Sequence, residues 1–271
     1  MATKVPSYME HGGEIVKAIT KLAYRHPTYQ IFQDWLEVSA IAISNSVDWG
    51  NQKAREERYL EIINQYNKEE QSKLTELLTL LIKAMTVESE AGKPCDILGS
   101  VFHGLELHSK YKGQFFTPNH ICQFMGKVSL GDSDEIIEKQ GYLSVCEPCV
   151  GSGGLVLGLA AAMAETNHNY QRQMCVTACD IDIKCVHMAD LQFSLYGIPA
   201  VIIHGNSLTM ETWSTWYTPM YMVDMWAIKE RRGIEDVAQA EKQKEEIQEP
   251  QQTENTEFKL IADESGQFCF I

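Results

Sequence analysis

The sequence has no apolar run long enough to cross a bilayer, which takes about 20 residues; its most apolar stretch, Gly153 to Ala164, is shorter. It is also poor in positive charge. Lys plus Arg number 23 against 37 Asp plus Glu, a formal net charge of −14. That excludes a protein holding nucleic acid by bulk basic charge alone, but not a local basic groove or a basic partner chain. The N-terminal residues contain no apolar secretory core, so a cytoplasmic protein with reduced thiols is expected. No internal repeat and no His-Glu-x-x-His pattern is found. Apolar residues make up 44% and charged residues 22% of 271 positions, enough for a sizeable core in one large or two small domains. Whole-chain disorder, collagen and coiled coil are excluded.

The first hundred or so residues read as helices. Ile31, Trp35, Ile41 and Ile43 form one apolar set; Leu60, Ile62, Ile63 and Tyr66 form a second. Leu74, Leu77, Leu78, Leu81 and Met85 recur at three- and four-residue steps, the pattern of one buried helical face. From about residue 141 the texture changes. Tyr142–Cys146, Gln173–Cys179 and Ala200–His204 read as strands. Between them lie a small-residue segment, Gly154–Ala164, and a helical segment, Ile183–Tyr196, stopped by Gly197. Strand, helix, strand, helix, strand predicts a parallel sheet with crossover helices. Residues 228–257 are rich in acids and poor in large apolar side chains, so a solvated helix or a disordered linker is expected. Residues 258–271 read as a small strand pair around Asp263–Gly266.

Three short blocks carry chemistry. Glu147-Pro-Cys-Val-Gly-Ser-Gly-Gly154 follows a predicted strand and opens a predicted helix. Glycines there let the backbone turn tightly or approach a ligand, and the helix start adds free N–H groups. The dinucleotide G-x-G-x-x-G pattern is not met, because Val156 occupies the third glycine position. Asp180 ends the next strand, where an acid can accept hydrogen bonds from both hydroxyls of a ribose or cap the following helix. Gly113-Gln-Phe-Phe-Thr-Pro118 places Thr117 as N-cap and Pro118 as first residue of a helix through Ile121, Phe124 and Val128. The paired phenylalanines can be core or can wall a flat ligand.

In this order the blocks resemble those of the adenine-N6 DNA methyltransferases of type I restriction-modification systems, the modification subunit, and their phage and plasmid relatives. Gly113–Pro118 is similar to the family's G-Q-x-F-T-P block. Glu147–Gly154 is similar to its D-P-x-x-G-x-G block, with Glu for the usual Asp, and Asp180 to the acid closing its second strand. Asp96-Ile-Leu-Gly99 resembles the family as well, and the likeness runs to about Tyr221. It implies a Rossmann-like methyltransferase sheet over residues 113–227, truncated after its third or fourth strand, behind a helical domain over 1–112. It implies S-adenosylmethionine as cofactor. Gln114, Phe115, Phe116, Thr117 and Pro118 would lie against it. Glu147, Gly151, Ser152 and Gly153 would form the turn beneath its amino-acid part, Asp180 would hold the ribose, and Asn206 would stand near its adenine. It implies DNA as partner, with a separate specificity subunit or other chain, and methyl transfer to adenine N6.

One departure stands against this. The family's catalytic block, Asn or Asp, Pro, Pro, then Tyr or Phe, occurs nowhere in the chain. Its amide or carboxylate and a backbone carbonyl accept the hydrogens of the adenine amino group, and its aromatic stacks on the flipped base. The nearest candidate is Thr218-Pro-Met-Tyr221, where Thr218, Pro219 and Tyr221 would be the catalytic set. Trp213–Tyr217 before it makes a poor buried parallel strand. Trp213, Trp216, Tyr217 and Tyr221 can stack on a base or simply pack. Three outcomes therefore stay open: an adenine-N6 DNA methyltransferase, an inactive relative that binds cofactor and DNA or a partner, and transfer to another acceptor. Cys146-x-x-Cys149 has redox or zinc spacing, but no second pair follows and no metal is expected. His103, His108, Lys110 and Lys112 form a basic cluster that is either solvated surface or a phosphate contact.

Overall fold

The computed structural model describes residues 12–107, 115–131, 133–229, 260–262 and 268–270. Gly113, Gln114 and most of residues 228–257 lie outside the described residues, as do His108, Lys110 and Lys112 of the basic cluster. The chain divides into two units, Met1–Ile228 and Lys229–Ile271.

Among the described residues of the first unit five helices come first: α1 Gly13–Leu22, α2 Thr28–Ser44, α3 Gln52–Ile63, α4 Lys68–Glu90 and α5 Ile97–Gly104. The long α4 starts on a capping box. Asn67 accepts from the Glu70 N–H, and the Glu70 carboxylate accepts from the Asn67 N–H. Its buried stripe is Leu74, Leu77, Leu81 and Met85. In α3 Ile62 is buried, but Leu60 is 47% exposed, because two positions along a helix turn to opposite faces.

Next come α6 Asn119–Leu130, α7 Asp134–Gln140, β1 Leu143–Glu147, α8 Gly154–Glu165, α9 Tyr170–Gln173, β2 Met174–Asp180, α10 Ile183–Tyr196 and β3 Ala200–Asn206. They are followed by β4 Glu211–Tyr217 and α11 Pro219–Val223. The sheet order is β1-β2-β3-β4. β1, β2 and β3 are parallel, and β4 returns antiparallel beside β3. This is a Rossmann-like α/β fold. Its crossover helices pack with the N-terminal helices into one continuous core that runs from Ile15 through Trp35 and Leu157 to Trp216. Doubly wound sheets continue on both sides of their first strand; among the described residues β1 is an edge. In the second unit β5 Leu260–Ala262 and β6 Phe268–Phe270 form an antiparallel pair.

Two glycines set the depth of one helix pair. A Cβ on Gly126 of α6 would lie 2.2 Å from the Gly158 carbonyl oxygen of α8, and one on Gly158 would lie 2.1 Å from that of Cys122. The backbones touch because neither helix carries a side chain there. α6 starts after Pro118, so Thr117 does not cap it: Pro118 occupies the cap position, and Thr117 is exposed.

On the outer edge of the sheet, Arg55 of α3 donates to Thr215 O at 2.9 Å and pairs with Asp48 at 2.6 Å. Its guanidinium lies 4.2 Å above the Trp216 ring. It covers an exposed strand edge and carries its own counter-charge. Arg55→Ala leaves Asp48 buried and unpaired and uncaps the strand. It is expected to cost about 3–5 kcal/mol, read from the urea midpoint. Arg55→Lys recovers little, since one ammonium cannot reach all these partners.

Candidate cofactor-binding site

The carboxyl ends of β1, β2 and β3 lie side by side, with Glu147 in register with Ala178 and Asp180 with His204. β1 leads into the glycine turn. The Val150 N–H bonds Cys179 O at 2.9 Å, anchoring the turn to β2, and the Gly153 N–H closes back on Val150 O at 2.8 Å. Gly151 has φ 55° and Gly153 φ 96°, a left-handed region that side chains disfavour. Space makes the same demand. A Cβ on Gly153 would lie 2.7 Å from the Phe193 ring, and one on Gly151 3.2 Å from the Phe116 ring.

Asp180 does not cap α10; that role falls to Asp182, whose carboxylate accepts from the Lys184 N–H at 3.0 Å. Asp180 instead clamps the turn. One carboxylate oxygen accepts from the Gly151 N–H and the other from the Asp182 N–H, both at 2.9 Å. Each oxygen keeps a second acceptor position, so the carboxylate can hold the turn and receive hydroxyl groups together.

Phe116 forms the opposite wall. Its ring packs edge-on to Phe102, with centroids 4.9 Å apart, and His103 Nε2 hydrogen-bonds its carbonyl at 3.3 Å. The described histidine of the basic cluster thus braces this wall. Phe115 is 71% exposed. Glu147 accepts from the Cys149 N–H at 3.1 Å. The amide oxygen of Asn206, expected to face the cofactor, accepts from the N–H groups of Leu208 and Thr209 and so folds the β3–β4 turn.

Asp96, which the sequence marks only through the likeness of Asp96–Gly99, is a hub in the structure. Its carboxyl caps α5 through the Gly99 N–H at 2.7 Å, bonds Ser152 Oγ of the glycine turn, and accepts from Gln192 Nε2 at 2.9 Å. Gln192 also donates to Ser152 O at 2.7 Å and accepts from the Ile97 and Leu98 N–H groups. Burial raises the Asp96 carboxyl above the ordinary carboxylate range, against the hydrogen bonds from Ser152 and Gln192. The signal available in sequence was Gly99: a Cβ there would overlap the Asp96 carboxylate.

Topology sets the expected catalytic set apart from the glycine turn. β4 runs antiparallel, so it carries Thr218 back to the amino end of β3. The Thr218 N–H bonds Ala200 O at 3.1 Å. Its hydroxyl accepts from the Ala200 N–H at 2.9 Å and donates to Ile198 O at 2.8 Å, and the residue is fully buried. Six residue steps along β3 take the chain from Ala200 to Asn206, roughly 20 Å at strand rise. Pro219 starts α11, and Tyr221 is buried against Tyr217 with ring centroids 5.7 Å apart. Thr218, Pro219 and Tyr221 therefore stand at the end of the sheet opposite the glycine turn. The aromatic cluster is likewise divided: Trp216 lies under Arg55, Tyr217 stacks on Tyr221, and half-exposed Trp213 sits edge-on to His204.

Among the described residues no group of three or more His, Cys, Asp or Glu is placed to hold a metal ion, and no helix is long and apolar enough to cross a membrane.

A glycine turn opening a helix, with an acid at the end of the neighbouring parallel strand, is an arrangement at which α/β proteins can bind nucleoside cofactors. Residues 96–263 match the family model described as N-6 DNA methylase. The match covers more than half of the chain, which belongs to the N-6 DNA methylase family. Among solved structures, similarity extends to the methyltransferase subunit of a type I restriction-modification system from Streptococcus thermophilus. That match has 17% identity and TM-score 0.36, over 74% of this chain and 40% of that one. A DrdV–DNA complex matches at 13% identity and TM-score 0.32, over 74% of this chain and 24% of that one. This chain thus spans less than half the length of either. No curated protein matches it.

Proposed function

We propose that this chain is the S-adenosylmethionine-binding part of an adenine-N6 DNA methylation system, and that it does not transfer the methyl group unaided. The residues at the carboxyl ends of β1 and β2 fit the cofactor. The Gly151-Ser152-Gly153 turn is seated against the Phe116 and Phe193 rings, Phe116 offers an aromatic wall, and Asp180 keeps acceptor positions for a ribose. When bound, the cofactor supplies an electrophilic methyl on a sulfonium. The chain's own residues bind and orient it: the turn faces the amino-acid part, Asp180 the ribose, and Phe115, Thr117 and Pro118 the rim. Glu147 braces the turn through the Cys149 N–H. The acidic chain reaches DNA together with a partner chain, in the cytoplasm, where its cysteines remain thiols.

One observation carries the second half of the proposal. Thr218-Pro-Met-Tyr221 lies at the far end of the sheet, with its hydroxyl and N–H committed to β3. The groups that must accept the hydrogens of an adenine amino group are then supplied by the partner. Calorimetric titration with S-adenosylmethionine tests the first half. Wild-type binding is expected, and Asp180→Ala should weaken it about 30-fold or more, since a buried-side acceptor of two hydroxyls and a turn clamp are lost together. Equal binding by both would remove Asp180 from the site.

A further inference from the structure

We propose that Asp96 is a positioning residue for the cofactor turn, acting through Ser152 on one wall of the site and through Asn119 on the other. The inference rests on the cofactor reading above and extends it to a residue outside the turn.

Three separate pieces of chain converge on this residue. Its carboxyl bonds Ser152, the residue between the two left-handed glycines, and Gln192 of α10. Its backbone N–H donates to Asn119 Oδ1 at 2.9 Å, and its carbonyl accepts from Asn119 Nδ2 at 3.4 Å. Asn119 follows Pro118 directly, so this pair fixes the segment that carries Phe116. Phe116 and Gly151, which lie against each other beside the proposed site, are therefore both tied to Asp96, the glycine turn through its carboxyl and the Phe116 segment through its backbone.

The network is complete and has only one arrangement. Gln192 uses both amide hydrogens, on Asp96 and on Ser152 O, and its oxygen accepts from both Ile97 and Leu98. A flipped amide would place its NH2 against two N–H donors. Ser152 is 2% exposed, Asp96 3% and Gln192 0%, so no water competes. Room for the carboxyl is made by glycines: a Cβ on Gly99 would overlap it, and one on Gly154 would lie 3.4 Å from Oδ2. A satisfied buried network of this kind fixes geometry better than apolar packing does. Had Asp96 been needed only as a helix cap, neither Gln192 nor Ser152 would be required.

The test compares wild type with Asp96→Ala, Asp96→Asn and Ser152→Ala, using S-adenosylhomocysteine as the titrant at 15 °C. Thermal unfolding and amide hydrogen exchange are measured on the same samples. Ser152→Ala keeps the α5 cap and Gln192, so it folds even where Asp96→Ala does not. Affinity is expected to fall about 10-fold in Ser152→Ala and more in Asp96→Ala, the loss of one or of several buried hydrogen bonds. Asp96→Asn keeps an acceptor for Gly99 and Gln192 and offers its NH2 to Ser152 Oγ, so binding returns to within about 3-fold of wild type. Exchange should quicken at 151–153 in Asp96→Ala and not in Asp96→Asn, while 116–119, held through the Asp96 backbone, keeps its wild-type rate in both. Folded Asp96→Ala and Ser152→Ala that bind as wild type does would overturn the positioning role and leave the cofactor reading standing. A wild-type chain that binds nothing would overturn both, and the wild-type titration alone shows it.

Discussion

Gly158→Ala is expected to destabilise the chain by about 2–4 kcal/mol, although alanine favours a helix interior over glycine by about 1 kcal/mol. The sign is decided by space. The added methyl would lie 2.1 Å from the Cys122 carbonyl oxygen and 2.4 Å from its carbon, and backbone cannot rotate away as a side chain can. α6 and α8 must separate. Gly126→Ala meets the same contact from the other helix, at 2.2 Å from Gly158 O. The two substitutions should therefore cost less together than the sum of the single values, because both push the same helices apart. Urea unfolding of the two single variants and the double variant checks this. A functional consequence follows from connectivity. α6 follows the segment with Phe116 and α8 follows the glycine turn, so a wider crossing opens the Phe116–Gly151 contact. Affinity for S-adenosylmethionine should fall in both single variants even well below their melting temperatures.

Asp190→Asn is expected to raise stability, and more so as pH rises. The Asp190 carboxyl is buried in α10 with no hydrogen-bond partner among the described residues. Burial pushes its pKa up to about 8, while Arg55 pulls weakly the other way. An unfolded chain holds such a group near 3.9. Between pH 4 and 8 the unfolded state therefore binds fewer protons, and stability falls as pH rises through that window. His187, one turn away, has the opposite linkage. Burial lowers it to about 4 against 6.5, so its contribution is lost as pH falls from 6.5 toward 4. The two slopes oppose each other below pH 6.5, and Asp190 acts alone from there to 8. Asparagine removes the Asp190 slope and should gain on the order of 4 kcal/mol at pH 8 and under about 1 kcal/mol at pH 4. At roughly 2–4 °C per kcal/mol for a chain of this size, that is a shift of about 10 °C at pH 8. A gain that is the same at both pH values would mean that Asp190 is not held protonated in the fold.

Sequence and structure part company where contacts span long stretches of chain. The three parallel strands and their crossover helices were legible because each is a local apolar run with its own stop: Gly197, for example, has φ 72° as a helix-ending glycine requires. The glycine turn and Asp180 were legible because both must sit at strand ends. The direction of β4 was not. Trp213–Tyr217 reads as a poor parallel strand, and it is antiparallel, but the sequence holds no statement of where that leaves Thr218. A block that follows a strand was expected at the cofactor end, and a tight turn at Ser207–Met210 sent it to the other. The Asn206 side chain went to that same turn. Asp96 was hidden for a related reason: its partners Ser152 and Gln192 lie 56 and 96 residues away, and no local pattern links them. The cap at Thr117 failed by one position, because the backbone at Pro118 is still extended, with ψ 143°, and the helix starts after it.

The proposal is that the chain holds S-adenosylmethionine and leaves the adenine amino hydrogens to a partner, since Thr218–Tyr221 stands at the opposite end of the sheet. It is tested most directly by transfer of tritiated methyl from S-adenosylmethionine to mixed-sequence double-stranded DNA, with the chain alone and the cofactor at a concentration shown by calorimetry to saturate it. Saturated binding and no label in DNA are expected. Label in adenine N6 that disappears in Tyr221→Ala would contradict it, and would place the Thr218–Tyr221 block at the reaction after all.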